Sequence, residues 1–240
     1  MYNLNDKLHK VYDRVHAAVA QSGRAPNSVQ LLAVSKTQPA SSIKTLYDAG
    51  HRAFGENYLQ EALKKQSLLS TLDIEWHFIG PIQSNKTQDI ASNFDWVHSV
   101  DRLKIAKRLN DQRPEHLPPL NICLQINIDK EASKSGISID NMDGILDLAK
   151  AVVDLPHLRL RGLMAIPKAN SDTSKQRDAF AKVTQLFESL KTALDRLGLV
   201  SSTLDTLSMG MSGDMESAIS EGATIVRVGT DIFGPRNNLL

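Results

Sequence analysis

Short apolar runs alternate with longer stretches of helical periodicity along almost the whole chain, and this alternation predicts a parallel sheet covered by helices. Eight runs read as strands: LLAVS (31–35), RAFGE (52–56), EWHFI (75–79), DWVHSV (95–100), NICLQINI (121–128), LRLRGLMAI (158–166), TLDTLSMG (203–210) and TIVRVG (224–229). Between them lie helical patterns such as DRLKIAKRLND, MDGILDLAKAVVDL and DAFAKVTQLFESLKTALDRLG. An amphipathic helix over roughly residues 4–22 precedes the first strand. Three helices stop at a glycine suited to the left-handed C-terminal position, namely Gly50, Gly198 and Gly222. Eight successive βα units predict an α/β fold, a closed (β/α)8 TIM barrel with an extra N-terminal helix, in preference to an open doubly wound sheet. No Pro-rich linker interrupts the pattern, so residues 1–240 are expected to form a single barrel domain, with PEHLPP (114–119) as one stiff loop.

Composition narrows the function classes. The 240 residues are 41% hydrophobic and 23% charged, with a formal net charge of +1, which offers no general attraction to nucleic acid or to an anionic membrane. The Lys64-Lys65 pair reads as solvated helix surface. The single cysteine, Cys123, lies in an apolar run, where a small buried side chain is the expectation and no intrachain disulfide can form. A reducing cytoplasm fits that usage. The first residues lack the apolar core of a signal peptide, and no run of about 18 apolar residues occurs, so no membrane span is expected.

The candidate chemistry begins at Lys36, which ends the run VQLLAVSK. Strand alternation puts Leu32, Val34 and Lys36 on one face, so an amine at the rim of an apolar strand is placed to form a Schiff base; a solvated strand-end lysine is the alternative. In a barrel the active face lies at the C-terminal ends of the strands, and phosphates often bind after strands seven and eight. The loop SMGMSGDMESAI there offers Ser208, Gly210 and Ser212, with a simple helix cap by Ser212 or Asp214 as the competing role. Asp214 and Glu216 would repel a phosphate and must point away for the anion reading to hold. The eighth strand puts Ile225, Arg227 and Gly229 on one face, so a guanidinium sits inside an apolar run and needs an acceptor, either a structural carboxylate or a ligand. Gly229 allows close backbone approach, and Thr230 adds a hydroxyl and an N–H. Asn57 in FGENY could meet a ligand or cap a helix. His77 could do the same or be a satisfied core imidazole, and Gln83 and Asn85 cluster near the rim. No HExxH, cysteine-pair, EF-hand or paired-carboxylate pattern occurs, which disfavours a metal or glycosidase site.

A strand-one lysine, a phosphate cup after strands seven and eight, and a strand-eight arginine together resemble fold-type III pyridoxal 5'-phosphate (PLP) proteins. More narrowly, LLAVSKTQPA, FGENYLQEA, WHFIGPIQSNK, SKSGI, RLRGLMAIP, LSMGMSGDMESAI and VRVGTDIFGPR are similar to the pyridoxal phosphate homeostasis family (YggS/PROSC type) from about residue 4 to 236. That resemblance implies that Lys36 carries PLP as an aldimine, that Ser208, Gly210, Ser212, Gly229 and Thr230 hold its phosphate, that Arg227 faces the pyridine nitrogen, and that Asn57 lies near the ring. A donor-only guanidinium opposite that nitrogen keeps it unprotonated and the ring a weaker electron sink. The implied role is a cytoplasmic, monomeric PLP carrier or buffer in vitamin B6 homeostasis. It would act indirectly on amino-acid metabolism, with PLP-dependent apoenzymes as partners and no robust turnover. The enzyme alternative is an amino-acid racemase. Alanine racemases resemble this barrel, but their C-terminal β domain brings a catalytic tyrosine from a second subunit, whereas the tyrosines here are Tyr2, Tyr12, Tyr47 and Tyr58. A Schiff-base aldolase without cofactor would have no need of Arg227 facing the pocket.

Overall fold

The computed structural model describes residues 3–129, 135–199 and 203–235. Ser133 and Lys134 of SKSGI, Arg236 and the NNLL tail lie outside them. The chain opens with α1 (Leu4–Gln21), started by a reciprocal capping box between Asn3 and Asp6 that satisfies two otherwise orphaned backbone donors. There follow β1 (Gln30–Val34), α2 (Ala40–Asp48), β2 (Ala53–Glu56), α3 (Leu59–Leu68), β3 (Glu75–Phe78), α4 (Thr87–Asn93), β4 (Trp96–Val100) and α5 (Leu103–Gln112). The second half comprises β5 (Leu120–Asn127), β6 (Ile137–Ser138), α6 (Met142–Val153), β7 (Leu158–Ala165), α7 (Thr173–Arg196), β8 (Thr206–Ser208), α8 (Met215–Ser220), β9 (Ile225–Val228) and α9 (Thr230–Phe233).

All the strand pairings are parallel, and β4 pairs with β5, so β1 to β5 and β7 to β9 close into an eight-stranded barrel. The two-residue β6, which the periodicity does not signal, adds beside the end of β5. Each of the eight anticipated strands is present with boundaries shifted by a residue or so, except that TLDTLSMG contributes only Thr206–Ser208. Gly50, Gly198 and Gly222 all have positive φ, as their helix-terminating role requires.

Strand alternation divides the apolar residues into two cores. Leu32, Ala53, Trp96, Cys123, Met164 and Ile225 fill the barrel interior. Their sequence neighbours Leu31, Ala33, Phe54, Val97, Ile122, Leu163 and Val226 face outward into the layer shared with the helices. Burial pushes the Cys123 thiol up to about 12, so it is an inert packing group, as its apolar surroundings suggested. β7 carries a bulge opposite Cys123, and Gly162 there passes so close to β8 that a Cβ would sit 1.8 Å from the Thr206 carbonyl oxygen. Among the described residues no helix is long and apolar enough to cross a membrane.

Lys65 departs from the sequence reading. Lys64 is exposed, but Lys65 is only 5% exposed, because helical spacing turns it toward the barrel while its neighbour faces water. Its ammonium is satisfied by Glu56, Glu61 and the Ser35 carbonyl.

Candidate functional site

Closure of the barrel places the end of β1 beside the end of β9, with Leu32 in register with Arg227 and Val34 leading into Lys36. A cavity of about 220 Å³ opens at the C-terminal ends of these strands. Lys36, Asn57, Ser212, Arg227, Gly229 and Thr230 all line it, with Val34, Ile79, Ile166, Met211 and Phe233 as its apolar walls. Val34 ends β1, and Ile79 and Ile166 follow directly on β3 and β7, a signal available in the sequence only once the strands are known. Gln38, Gly213 and Gly234 complete the rim.

Lys36 occupies a turn two residues past β1, half-buried, so Val34 and Lys36 continue the inward face begun by Leu32. Thr37 next to it adopts a left-handed φ of 64°, an unfavourable conformation for a β-branched residue. The Glu61 carboxylate accepts its N–H at 2.6 Å and holds it there. Asn57 is not the side-chain cap that was one of its expected roles. Tyr58 is the N-cap of α3, and the Asn57 Oδ1 is buried without a partner among the described residues. Its backbone is fixed by Gly80, where a Cβ would sit 2.1 Å from the Asn57 carbonyl oxygen.

Arg227 is 4% exposed. Its acceptors among the described residues are oxygens of the barrel itself and not a carboxylate. Nη1 donates to the Ser208 carbonyl at 2.6 Å and to Ser208 Oγ at 2.7 Å, and Nη2 donates to the Ala165 carbonyl at 2.9 Å. Burial draws this guanidinium down to about 10, opposed by the charge of Asp214, so it stays a cation at neutral pH. Ser208 therefore departs from the expected phosphate role: it is fully buried beneath Arg227, and its hydroxyl is engaged by that arginine and by His98. Gly210 is also absent from the cavity lining. Its φ of 94° and a Cβ position 2.6 Å from the Ala218 Cβ make it a packing glycine that lets the loop turn against α8.

The loop acids point away from the cavity, as an anion site requires. Asp214 accepts the Met211 N–H at 2.6 Å. Glu216 and Asp231 both bind Arg14 of α1, Glu216 at 2.7 Å, and Arg14 also donates to the Ser212 carbonyl at 3.0 Å. No side chain caps α9, and Gly229 and Thr230 at its start line the cavity together with Ser212, so backbone and hydroxyl donors share one side of it.

His77 does not line the cavity. It is fully buried in the barrel interior, stacked on Trp96 with ring centroids 5.4 Å apart, and hydrogen-bonded to Glu75 and to His98. The alternative of a satisfied core imidazole is the one the structure adopts. His98, which strand patterning alone does not single out, is its partner. Gln83 and Asn85 are not in the cavity lining; Gln83 leads into a short 3-10 turn, Ser84–Lys86. Among the described residues no group of three or more His, Cys, Asp or Glu side chains is arranged to hold a metal ion.

The chain matches the family model described as alanine racemase, N-terminal domain, over residues 12–237. It is 54% identical over 237 residues to the pyridoxal phosphate homeostasis protein of Pseudomonas aeruginosa, covering 99% of this chain and 97% of the relative. Among solved structures, PipY of Synechococcus elongatus with PLP bound superposes with a TM-score of 0.77 at 36% identity, over 92% of this chain and all (100%) of that one. An alanine racemase of Clostridium difficile shares the fold, with a TM-score of 0.65 at 15% identity, and its alignment takes up 93% of this chain and 57% of the racemase. A full-length identity of this size places the chain, with its alanine racemase N-terminal barrel, in the pyridoxal phosphate homeostasis protein family.

Proposed function

We propose that this chain is a single-domain, monomeric cytoplasmic barrel that binds PLP at Lys36 and carries or buffers it for PLP-dependent apoenzymes, without robust catalytic turnover. The observation that carries the reading is that Lys36 and the buried Arg227 line one cavity, although 190 positions separate them in the chain. PLP supplies an aldehyde that condenses with an amine, a phosphate, and a ring that can accept electrons.

The residues fit each of those parts. Lys36 offers the amine at the rim. Ser212, Gly229 and Thr230 offer donors at the other side of the opening, with the nearby acids turned away onto Arg14 and the Met211 N–H. Arg227 holds a permanent positive charge toward the cavity and cannot readily give up a proton, so a ring nitrogen opposite it stays unprotonated. The unpartnered Oδ1 of Asn57 is an acceptor awaiting a donor at the wall. Ile79, Ile166 and Met211 give the opening an apolar part for the ring. PipY, a relative at 36% identity, has been solved with PLP bound, which supports the same cofactor here.

Purified protein mixed with PLP should develop the visible absorbance of a lysine-linked cofactor, and Lys36→Ala should abolish it; retention of that absorbance in the variant would defeat the assignment. The racemase reading is less well served, because no tyrosine lines the cavity among the described residues. Tyr12 bonds to His51, Tyr47 lies under Arg52, and Tyr58 is 55% exposed away from the lining. Incubating PLP-loaded protein with single amino-acid enantiomers in deuterated water separates the two. Substantial chirality loss or α-hydrogen exchange would favour the enzyme.

A further inference from the structure

We propose that His98 and His77 are positioning residues for Arg227, forming with Ser208 a hydrogen-bond wire of fixed polarity that runs through the barrel from Glu75 to the cavity. This inference rests on the proposed PLP site, since it concerns how Arg227 is presented to the ligand.

The wire is continuous. Arg227 Nη1 donates to Ser208 Oγ at 2.7 Å, Ser208 Oγ lies 2.8 Å from His98 Nδ1, His98 Nε2 lies 2.9 Å from His77 Nδ1, and His77 Nε2 lies 2.6 Å from Glu75 Oε1. Glu75 is the first residue of β3, so it stands at the N-terminal mouth of the barrel, opposite the cavity, with its side chain 38% exposed.

With one hydrogen on each ring, the acceptor at the Glu75 end sets the direction of the hydrogens between. A guanidinium only donates, so Ser208 Oγ accepts from Arg227, and in the proposed wire its own hydrogen goes to His98 Nδ1. That nitrogen is then bare, so the His98 hydrogen sits on Nε2 and is donated to His77 Nδ1. His77 in turn carries its hydrogen on Nε2 and donates it to the Glu75 carboxylate, which only accepts. With a single hydrogen on each ring, the Glu75 end gives the wire one polarity, each imidazole in the Nε2–H form. Burial holds His98 well below its ordinary value and so keeps it neutral, and hydrogen bonds from His77, Gln30 and Trp96 outweigh burial to keep Glu75 an ionised acceptor.

With one hydrogen on each ring, the reverse polarity would put a bare His77 nitrogen against a carboxylate oxygen. Glu75 therefore selects the tautomer of His98, and His98 turns a lone pair of Ser208 toward Arg227. Of the five guanidinium hydrogens, three are committed to Ser208 and Ala165 by this arrangement, which leaves two for the cavity.

The test is ¹⁵N NMR of histidine-labelled full-length protein, with and without PLP, alongside the absorbance of bound PLP. Wild-type protein should show both residues in the Nε2–H form. Glu75→Lys replaces a group that only accepts with one that only donates, and it should reverse His98 to the Nδ1–H form and shift the PLP absorbance from across the barrel. In Glu75→Gln the amide can turn either face, so a mixture of tautomers is expected there, which provides the readout if the lysine variant does not fold. An Nδ1–H form at His98 in the wild type, or an unchanged His98 in these variants, would overturn the wire. Reversal at His98 with PLP absorbance unmoved would overturn the positioning role, while leaving the PLP site intact provided Lys36→Ala still removes the absorbance. Failure of the PLP reading itself shows separately, as wild-type protein that forms no linkage at Lys36 whatever its histidine tautomers.

Discussion

The ammonium nitrogen of Lys65 lies 2.7 Å from the carbonyl oxygen of Ser35, the residue immediately before Lys36. The same ammonium binds Glu56 at 2.7 Å and Glu61 at 2.5 Å, and Glu61 accepts the N–H of Thr37, the residue immediately after Lys36. One buried ion cluster therefore grips the backbone on both sides of the candidate amine. Burial pushes the Glu56 carboxyl up, opposed by the charge and hydrogen bond of Lys65 and by the Ser35 hydroxyl, so the cluster depends on the ammonium staying in place.

Lys65→Met should accordingly cost about 3–5 kcal/mol in chemical denaturation, because it strands a buried carboxylate, and Lys64→Met on the exposed side should stay within about 0.5 kcal/mol. Adding Glu56→Gln to Lys65→Met should recover part of the loss. Equal stability of the two single variants would show that the cluster does not support the loop.

Arg14 joins the two loops that carry Ser212 and Thr230 by binding Glu216, Asp231 and the Ser212 carbonyl at once. Its removal frees two carboxylates beside the proposed phosphate donors. Arg14→Met should weaken PLP binding by about 1 kcal/mol, roughly fivefold, as measured by equilibrium titration. Pyridoxal, which lacks the phosphate, should bind both proteins alike; an equal loss for both ligands would point to general loosening instead.

His51 predicts an acid limit to stability. Its Nε2–H donates to the Ala53 carbonyl at 2.7 Å, which leaves Nδ1 to accept the Tyr12 hydroxyl at 2.8 Å and ties α1 to β2. Burial pulls this imidazole down to about 4, opposed by the Ala53 bond and assisted by the charge of Arg52. The unfolded chain takes up the proton near pH 6.5, so it binds more protons than the fold between about pH 6.5 and 4. Stability should therefore be full above pH 6.5 and fall by on the order of 3 kcal/mol toward pH 4. His51→Phe should flatten that slope in denaturant titrations across the window, and an unchanged slope would assign the acid loss to other groups.

Arg227→Glu replaces a donor-only cation with a group that accepts a hydrogen bond, and the ring nitrogen of bound PLP should then be protonated. The absorbance of the lysine-linked cofactor should shift, with Lys36 still required for it. An identical spectrum would show that Arg227 does not face that nitrogen.

Much of the architecture was legible because it depends on local periodicity. Strand alternation put Ile225 and Arg227 on one face and Val226 and Val228 on the other, and the barrel places them so. Lys36 continued the face of Leu32 and Val34 for the same reason. Periodicity says which face a residue takes but not how far along the barrel axis it lies. Periodicity therefore groups Ser208 and Gly210 with Ser212 as anion ligands, whereas Ser208 lies a layer deeper, under Arg227, and Gly210 packs on α8. Lys65 was hidden because a lysine adjacent to another lysine on a polar helix gives no local sign of burial.

The chain by itself determined the eight βα repeats, the glycine stops, the inward-facing Lys36 and Arg227, and the apolar setting of Cys123, since each follows from side-chain type and spacing along one element. Only the tertiary structure decided which polar groups meet. Closure of the barrel set β1 against β9 to join Lys36 and Arg227 around one cavity. It also lined up Glu75, His77, His98 and Ser208 from three different strands, a pairing fixed by strand register across the barrel and therefore absent from any single stretch of sequence.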